Sequence, residues 1–328
     1  MRHIVIGSGP AGVVAAETLR ALDPASSVTL FGGEGEVPYS RMALPYMLEG
    51  RIDETGTHLR KTADHFGQQG IQLINSRVSA IDAASSIVTL SDGRTQEFDR
   101  LLLATGSRPL QPPITGIDLP GVHTCWTLAD ARGIAEQAEA GCSIVLIGAG
   151  FIGSIILESL VARGVHLTVI ETGDRMVPRM LDPQCGNMLK TWCQKKGLTV
   201  LTSTQVESIE QRGSALTVHT DQGHAISAHL VISATGVVAD LELATGCGLD
   251  TDLGILVDSC MQTSARSLYA AGDVAQGRDF STGGYSVQAI QPTAVDHGRI
   301  AANNMVSSGS IHHHGSLNMN ILDTLGLI

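Results

Sequence analysis

The chain has 328 residues, 43% of them hydrophobic, 16% charged and only 3% aromatic, with 37 glycines and a formal net charge of −11. That length exceeds one hydrophobic core of ordinary size and predicts two or three folded domains, while the acidic balance argues against a nucleic-acid surface, which needs surplus Lys and Arg. No apolar run reaches the ~18–20 residues of a membrane helix, and the chain enters a motif at its first residues, leaving no room for a secretory leader; the expected location is the cytoplasm.

Residues 3 to 31, HIVIGSGPAGVVAAETLRALDPASSVTLF, predict a buried strand, a glycine turn, a helix and a second strand. Gly7, Gly9 and Gly12 make G-x-G-x-x-G, with Pro10 and Ala11 opening the helix. In this context the first glycine permits the tight turn, the second lets a pyrophosphate approach the backbone, and the third lets helix and strand pack closely. Free N–H groups at the helix start then face the phosphates. The second strand lacks an acid at its end, and Glu34, displaced by about two residues, is the nearest candidate for a ribose. Next comes VPYSRMALPYML, residues 37 to 48, which holds two tyrosines and one arginine but no Cys, His or carboxylate.

Two later stretches, IVTLSDGRTQEF and ALTVHTDQGHAI, alternate like hairpins with turns at Ser-Asp-Gly and Asp-Gln-Gly. Each leads into an apolar strand ending in Ala-Thr-Gly: LLLATGSRP (101 to 109) and LVISATGVV (230 to 238). Between them, residues 143 to 171 repeat the first fingerprint with Gly148, Gly150 and Gly153, and Phe151 and Ile152 open the helix. Its second strand ends in Glu171, 23 residues after Gly148. An acid there accepts from both ribose hydroxyls and favours NADH, while Arg175, four residues on, keeps NADPH open. Two complete copies mean two dinucleotides, or a duplication with one dead site. SLYAAGDVAQ (267 to 276) predicts a strand ending at Gly272-Asp273, which puts a carboxylate at the ligand edge of a doubly wound sheet. IQPTAVDHGRIAANNM (290 to 305) predicts a helix with Pro292 at its first position, where a missing N–H costs nothing. Thr293 and Ala294 offer N–H groups at its positive end.

The six cysteines contain no C-x-x-C pair and no zinc spacing and are read as buried or surface thiols. The tract at 312 to 314, three histidines, is read as a solvated loop or an added tract rather than a metal site. No metal is expected.

With GSGPAG, ATGSRP, GAGFIG, ATGVV and AAGD in this order, nearly the whole chain resembles the two-dinucleotide-binding flavoproteins, the FAD-dependent pyridine nucleotide-disulfide oxidoreductases. It is most similar to the branch of ferredoxin and rubredoxin reductases and the flavin portion of NADH-dependent nitrite reductases. The resemblance implies an α/β fold of two Rossmann-like domains, the NAD domain inserted in a discontinuous FAD domain. The FAD domain is expected at 1–112 and 240–308 and the NAD domain at 113–239, with 309–328 opening a C-terminal interface domain. It implies FAD on the first fingerprint and NADH on the second. Asp273 is then expected on the FAD ribityl chain, Thr105, Gly106, Arg108 and Gly236 close to the cofactors, Val78 among the cofactor-binding residues, and Thr293 and Ala294 at the flavin's pyrimidine edge.

Against that family, Met42 stands where single-Cys oxidases carry Cys, and Met forms neither thiolate nor disulfide. Electrons are therefore expected to pass from NADH to FAD and directly to an acceptor: a ferredoxin- or rubredoxin-type carrier, or a nitrite reductase centre. Tyr39 and Arg41 match the Tyr, spacer and basic residue of the carrier-reducing branch. Arg41, charged at every working pH, is expected to favour reduced flavin. A capping or surface-paired arginine is the competing reading. Ile155 replaces a Glu that relatives often carry toward the nicotinamide, with Glu158 one turn on. Relatives continue past residue 328, so SLNMNILDTLGLI is expected to be the opening strand of a truncated domain, an edge that pairs with another chain, a homodimer included, or stays disordered. Three rival readings remain at this point: an NADH oxidase reducing oxygen or a quinone, a regulatory or assembly protein with slow turnover, and the flavin module of a larger multidomain enzyme such as a nitrite reductase.

Overall fold

Ile4, Val5 and Ile6 are buried, as befits a strand covered on both faces of a parallel sheet, and Arg2–Ile6 forms β1. In chain order there follow α1 (Pro10–Leu22), β2 (Ser27–Gly32), β3 (Ile71–Asn75), β4 (Arg100–Leu103), β5 (Val122–Thr124), β6 (Ser143–Ile147), α2 (Phe151–Ala162), β7 (His166–Ile170), α3 (Pro183–Lys195), β8 (Thr199–Leu201), β9 (Leu230–Ser233), β10 (Leu268–Ala270) and α4 (Gln291–Val306), with hairpins and short turns between them. The computed structural model describes residues 1–213, 215–317 and 319–327. By packing the chain forms two units: Met1–Ser40, His58–Arg108 and Val238–Asn320 make the first, and Arg41–Thr57, Pro109–Val237 and Ile321–Ile328 the second.

The first unit is built on a parallel sheet in the order β10-β4-β1-β2-β3. The chain runs outward from β1 to β2 and then crosses to β4 on the other side. The order therefore reverses between β1 and β4, and a crevice opens at their C-terminal ends. α1 buries Val13, Ala16 and Leu19 against the sheet. α1 and α4 approach to backbone distance, because a Cβ on Gly298 would lie 2.3 Å from the Ala11 carbonyl oxygen. Val78 opens an antiparallel three-stranded sheet (Val78–Asp82, Ile87–Leu90, Thr95–Glu97) whose last two strands flank the Ser-Asp-Gly turn.

The second unit repeats the plan in the order β8-β7-β6-β9-β5, all parallel. Its reversal falls between β6 and β9. α2 buries Ile156, Leu157 and Leu160. The hairpin at the Asp-Gln-Gly turn pairs Ala215–Thr220 with Ala225–Ala228. The Leu128–Gln137 helix starts in a capping box: the Asp130 N–H donates to the Thr127 hydroxyl and the Thr127 N–H to the Asp130 carboxylate.

Three details depart from expectation. α4 begins at Gln291, so Pro292 is its second residue; that N–H also lacks an intrahelical partner, and the helix start is undisturbed. Residues 41–57, expected with the first domain, pack with the second unit, because Leu44 and Leu48 bury there and the Ser159 hydroxyl donates to the Pro45 carbonyl at 3.1 Å. The final segment is no strand among its described residues. Thr324 and Leu327 close a turn on themselves, and Trp192 Nε1 donates to the Leu325 carbonyl at 3.3 Å. No helix among the described residues is long and apolar enough to cross a membrane.

Candidate dinucleotide sites

The two fingerprints share one geometry. Gly7 (φ +110°) and Gly148 (φ +100°) turn the chain out of β1 and β6 in the left-handed region that favours glycine. A Cβ on Gly7 would lie 2.0 Å from the Ala104 carbonyl oxygen, and one on Gly148 2.5 Å from that of Ala234. The third glycines are closed in the same way: a Cβ on Gly12 would meet the Gly7 oxygen at 1.8 Å, and one on Gly153 the Gly148 oxygen at 2.2 Å. The middle glycines differ from both. Nothing lies within 4 Å of a Cβ built on Gly9 or on Gly150, although each is the N-cap of its helix in ordinary extended conformation. The outer glycines are thus needed by the fold itself, and the middle ones border open space beside the first N–H groups of α1 and α2, where Pro10, Ala11, Phe151 and Ile152 sit. This is the arrangement that takes a pyrophosphate.

At the end of β7, Glu171 is buried, and its carboxylate accepts from Ala149 N–H at 2.7 Å and Gly173 N–H at 2.7 Å. It pins the glycine loop to the strand end before any ligand arrives; the oxygen that takes the Gly173 N–H also accepts from the Thr172 hydroxyl at 3.3 Å, and the other keeps a second lone pair. Arg175 is engaged: it donates to the Leu181 and Pro178 carbonyls at 2.9 and 3.2 Å and pairs with Asp174 at 2.6 Å. In the first unit Glu34 is exposed and accepts from the Tyr39 hydroxyl at 2.5 Å.

The structure brings several of the other sequence-predicted residues together at the first crevice. A Cβ on Gly272 would lie 3.1 Å from Ala11 Cβ and 3.4 Å from Ala294 Cβ, so the strand end and the starts of α1 and α4 converge there. Thr293 and Ala294 are buried at the α4 N-terminus; against expectation the Ala294 N–H is already taken by the Ile290 carbonyl at 2.9 Å, because Ile290 is the N-cap and its carbonyl accepts the first intrahelical bond. Asp273 accepts from the Ser107 hydroxyl at 3.0 Å. Thr105 donates to the Asp240 carbonyl at 3.0 Å, and Gly106 accepts from Asp240 N–H. Arg108 is exposed, with no hydrogen bond or ion pair to the described residues. Val78 stands apart as a core side chain, 4% exposed. In the second unit Gly236 (φ +111°) borders open space.

The family model of the pyridine nucleotide-disulphide oxidoreductases matches residues 1–298. The chain belongs to that family. It is 34% identical over 315 residues to an NADH oxidase of Methanocaldococcus jannaschii, covering 93% of this chain and 70% of that protein. It is 36% identical over 278 residues to rhodocoxin reductase of Rhodococcus erythropolis, covering 84% and 65%. The NAD-dependent persulfide reductase of A. fulgidus superposes with a TM-score of 0.93 at 31% identity, covering 99% of this chain and 62% of that one. The chain thus spans about two thirds of the length of these three proteins.

In the stretch at 37–48, Arg41 is held by Trp126. Its guanidinium lies 5.0 Å from the Trp126 ring centroid and donates to the Trp126 carbonyl at 2.6 Å. The residue it meets in this way lies 85 residues away along the chain. Sequence reasoning passed over Trp126, although it is one of only two tryptophans in an aromatic-poor chain. It also passed over Ser40, whose hydroxyl donates to Gln291 at the start of α4 at 2.6 Å, and Ser107.

Burial pushes the Cys125 thiol up to about 12, with Asp130 adding to it, and the Cys193 thiol up to about 11; both are protonated at neutral pH. Cys185 is exposed. The histidine tract is only partly solvated, a correction to the sequence reading. His313 is 7% exposed and meets His297 edge to face at 4.6 Å between ring centroids. Burial, with His313 second, lowers the His297 imidazole to about 3. No group of three or more potential metal ligands forms among the described residues.

Proposed function

We propose that this chain carries FAD on the first unit and NADH on the second, and passes electrons to an acceptor without a protein thiol. The paired glycine loops carry this reading, closed by backbone at the outer glycines and open at Gly9 and Gly150. The residues present fit both groups. The N–H groups opening α1 and α2 suit two pyrophosphates. Asp273, held by Ser107, suits a hydroxyl-bearing chain, and the start of α4 supplies N–H groups and partial positive charge where reduced flavin is anionic. When bound, the nicotinamide supplies a hydride and the flavin accepts it.

The chain's own part is binding, alignment and electrostatics. Glu171 holds the loop that meets the dinucleotide and offers its remaining lone pair to a ribose. Arg175, occupied by two carbonyls and Asp174, is not poised for a 2′-phosphate, which favours NADH over NADPH. Arg41 contributes a fixed cation braced on Trp126. Direct transfer suits Met42 and the protonated, buried thiols of Cys125 and Cys193.

The acceptor we favour is a ferredoxin- or rubredoxin-type carrier, a reading supported by the 36% identity to rhodocoxin reductase. Reduction of oxygen is the second reading. It is favoured by the 34% identity to an NADH oxidase and by the engagement of two basic side chains within the chain: Arg60 is tied to Glu17 at 2.5–2.7 Å, and Lys196 lies over Trp192 at 4.6 Å.

The test is the visible spectrum of the purified protein before and after anaerobic NADH, with NADPH in parallel. A flavin spectrum bleached by NADH and little by NADPH is expected. A flavin left oxidised by both would refute the NADH site, and no flavin after adding FAD would refute the first.

A further inference from the structure

The second unit carries a concavity of ≈ 240 Å³, counting its open mouth, that includes Trp126, Ile152, Ile156, Ala234, Val237 and Ser233 in its lining. Ser233 ends β9 and pairs in register with Ile147, the last residue of β6. It therefore sits where the strand order of this sheet reverses, the place at which open α/β sheets bind ligands. The residue is 7% exposed, and its hydroxyl is buried with no hydrogen-bond partner among the described residues. Buried hydroxyls are ordinarily satisfied, and one left over at a pocket wall calls for a partner from outside the chain.

The molecule contains its own control. The first unit repeats this strand as Leu103-Ala104-Thr105-Gly106 against Ser233-Ala234-Thr235-Gly236. Leu103 is fully buried at the equivalent place. A strand of this plan needs no hydroxyl there, so Ser233 answers to something particular to the second site. The other lining groups narrow the chemistry. The Thr124 hydroxyl is donated to Asp130 at 3.0 Å; the Thr235 hydroxyl, outside the lining, is donated to the Leu110 carbonyl at 3.0 Å. Ile152, Ile156, Val237 and Trp126 make much of the wall apolar, suited to a ring rather than a phosphate. Beside the protonated Cys125 thiol, a weak donor, the Ser233 hydroxyl is a neutral donor set in an apolar wall, and it matches one uncharged carbonyl on that ring.

We propose that Ser233 is a ring-recognition residue whose hydroxyl donates to the carboxamide oxygen of the nicotinamide. This deepens, and rests on, the reading of the second unit as a dinucleotide site. ADP-ribose separates the two ideas, since it carries the adenosine and pyrophosphate but no nicotinamide.

The experiment is calorimetric titration of the FAD-loaded protein with NAD⁺ and with ADP-ribose, for the unaltered chain and for Ser233→Ala. One neutral hydrogen bond predicts a loss of ~5- to 10-fold in NAD⁺ affinity for Ser233→Ala, with ADP-ribose affinity unchanged within about twofold. Equal losses for both ligands, or none for either, would overturn the assignment. Failure of the unaltered chain to bind either ligand would refute the dinucleotide reading itself, and Ser233's role with it. Should Ser233→Ala fail to fold, the unaltered chain still decides. The thionicotinamide analogue, a poorer acceptor, should bind several-fold more weakly than NAD⁺, and equal affinity would overturn the proposal.

Discussion

Adding one methyl group at Gly150 or at Gly153 should have opposite consequences, although the two positions are three residues apart. A Cβ at Gly153 would lie 2.2 Å from the Gly148 oxygen and 3.1 Å from its carbon. Both are backbone atoms, and no rotamer relieves the clash, so α2 and the loop must separate by about 1 Å at a packed helix–strand contact. Overpacking of this kind costs ~1–3 kcal/mol, and ~2–4 °C of melting temperature accompanies each kcal/mol in a unit of this size. Gly150 has φ −73° and ψ −171°, which any residue adopts, and nothing within 4 Å. The loss at the N-cap, the difference between alanine and glycine there, is ~0.5–1 kcal/mol, and reduced freedom of the unfolded chain returns ~0.4–1 kcal/mol. Gly150→Ala should therefore melt within ~2 °C of the parent. Its methyl group, however, occupies the space we assign to a pyrophosphate. Differential scanning calorimetry together with ADP-ribose titration reads both quantities. The expected result is a stable Gly150→Ala that has lost at least ~10-fold in ADP-ribose affinity, beside a Gly153→Ala whose melting temperature has dropped. A Gly150→Ala that binds ADP-ribose like the parent, or a Gly153→Ala that melts like it, would refute the assignment of these two glycines.

Glu171→Gln leaves one acceptor for two N–H donors and turns an amide toward one of them, so the ligand-free protein should lose ~1–3 kcal/mol in urea denaturation; unchanged stability would mean that the carboxylate does not hold the loop. Arg41→Ala gives up the stack on Trp126 and the bond to its carbonyl, a loss of ~1–2 kcal/mol, and Arg41→Lys should restore less than half because an ammonium lacks the planar fork; tryptophan fluorescence in denaturant measures both, and full recovery by Lys would contradict the stacked geometry. His297 is lowered to about 3, so between its unfolded value near 6.5 and about 3 the unfolded chain binds the extra proton and stability falls as pH falls, at up to ~1.4 kcal/mol per pH unit. His297→Phe should flatten the acid side of a plot of melting temperature against pH, and a plot parallel to the parent's would exclude His297 as a source of acid sensitivity.

The two βαβ fingerprints, the hairpins before the Ala-Thr-Gly strands, the Gly272-Asp273 strand end and the helix beginning near Pro292 were all legible in the amino-acid order. Each depends on residues close in sequence: a glycine turn, a Ser-Asp-Gly turn or a proline in a first helical turn restricts its own backbone, and the 23-residue reach from Gly148 to Glu171 stays within one βαβ unit. What that order left undecided involves residues far apart along the chain. Arg41 meets Trp126 85 residues away, Ser107 meets Asp273 at 166, and Ser40 meets Gln291 at 251. The packing of residues 41–57 with the second unit, the docking of the final turn on Trp192 and the burial of His313 against His297 belong to the same class. A side chain's partner across such separations is chosen by how sheets and helices stack, and nothing in the local spacing of residues carries that choice. Ser233 shows the limit most plainly. In sequence it is a small residue closing an apolar strand, as Leu103 closes the other. Only the packed sheet buries its hydroxyl without a partner at a pocket wall, because burial and the lack of an acceptor are properties of the surrounding atoms and not of the residue.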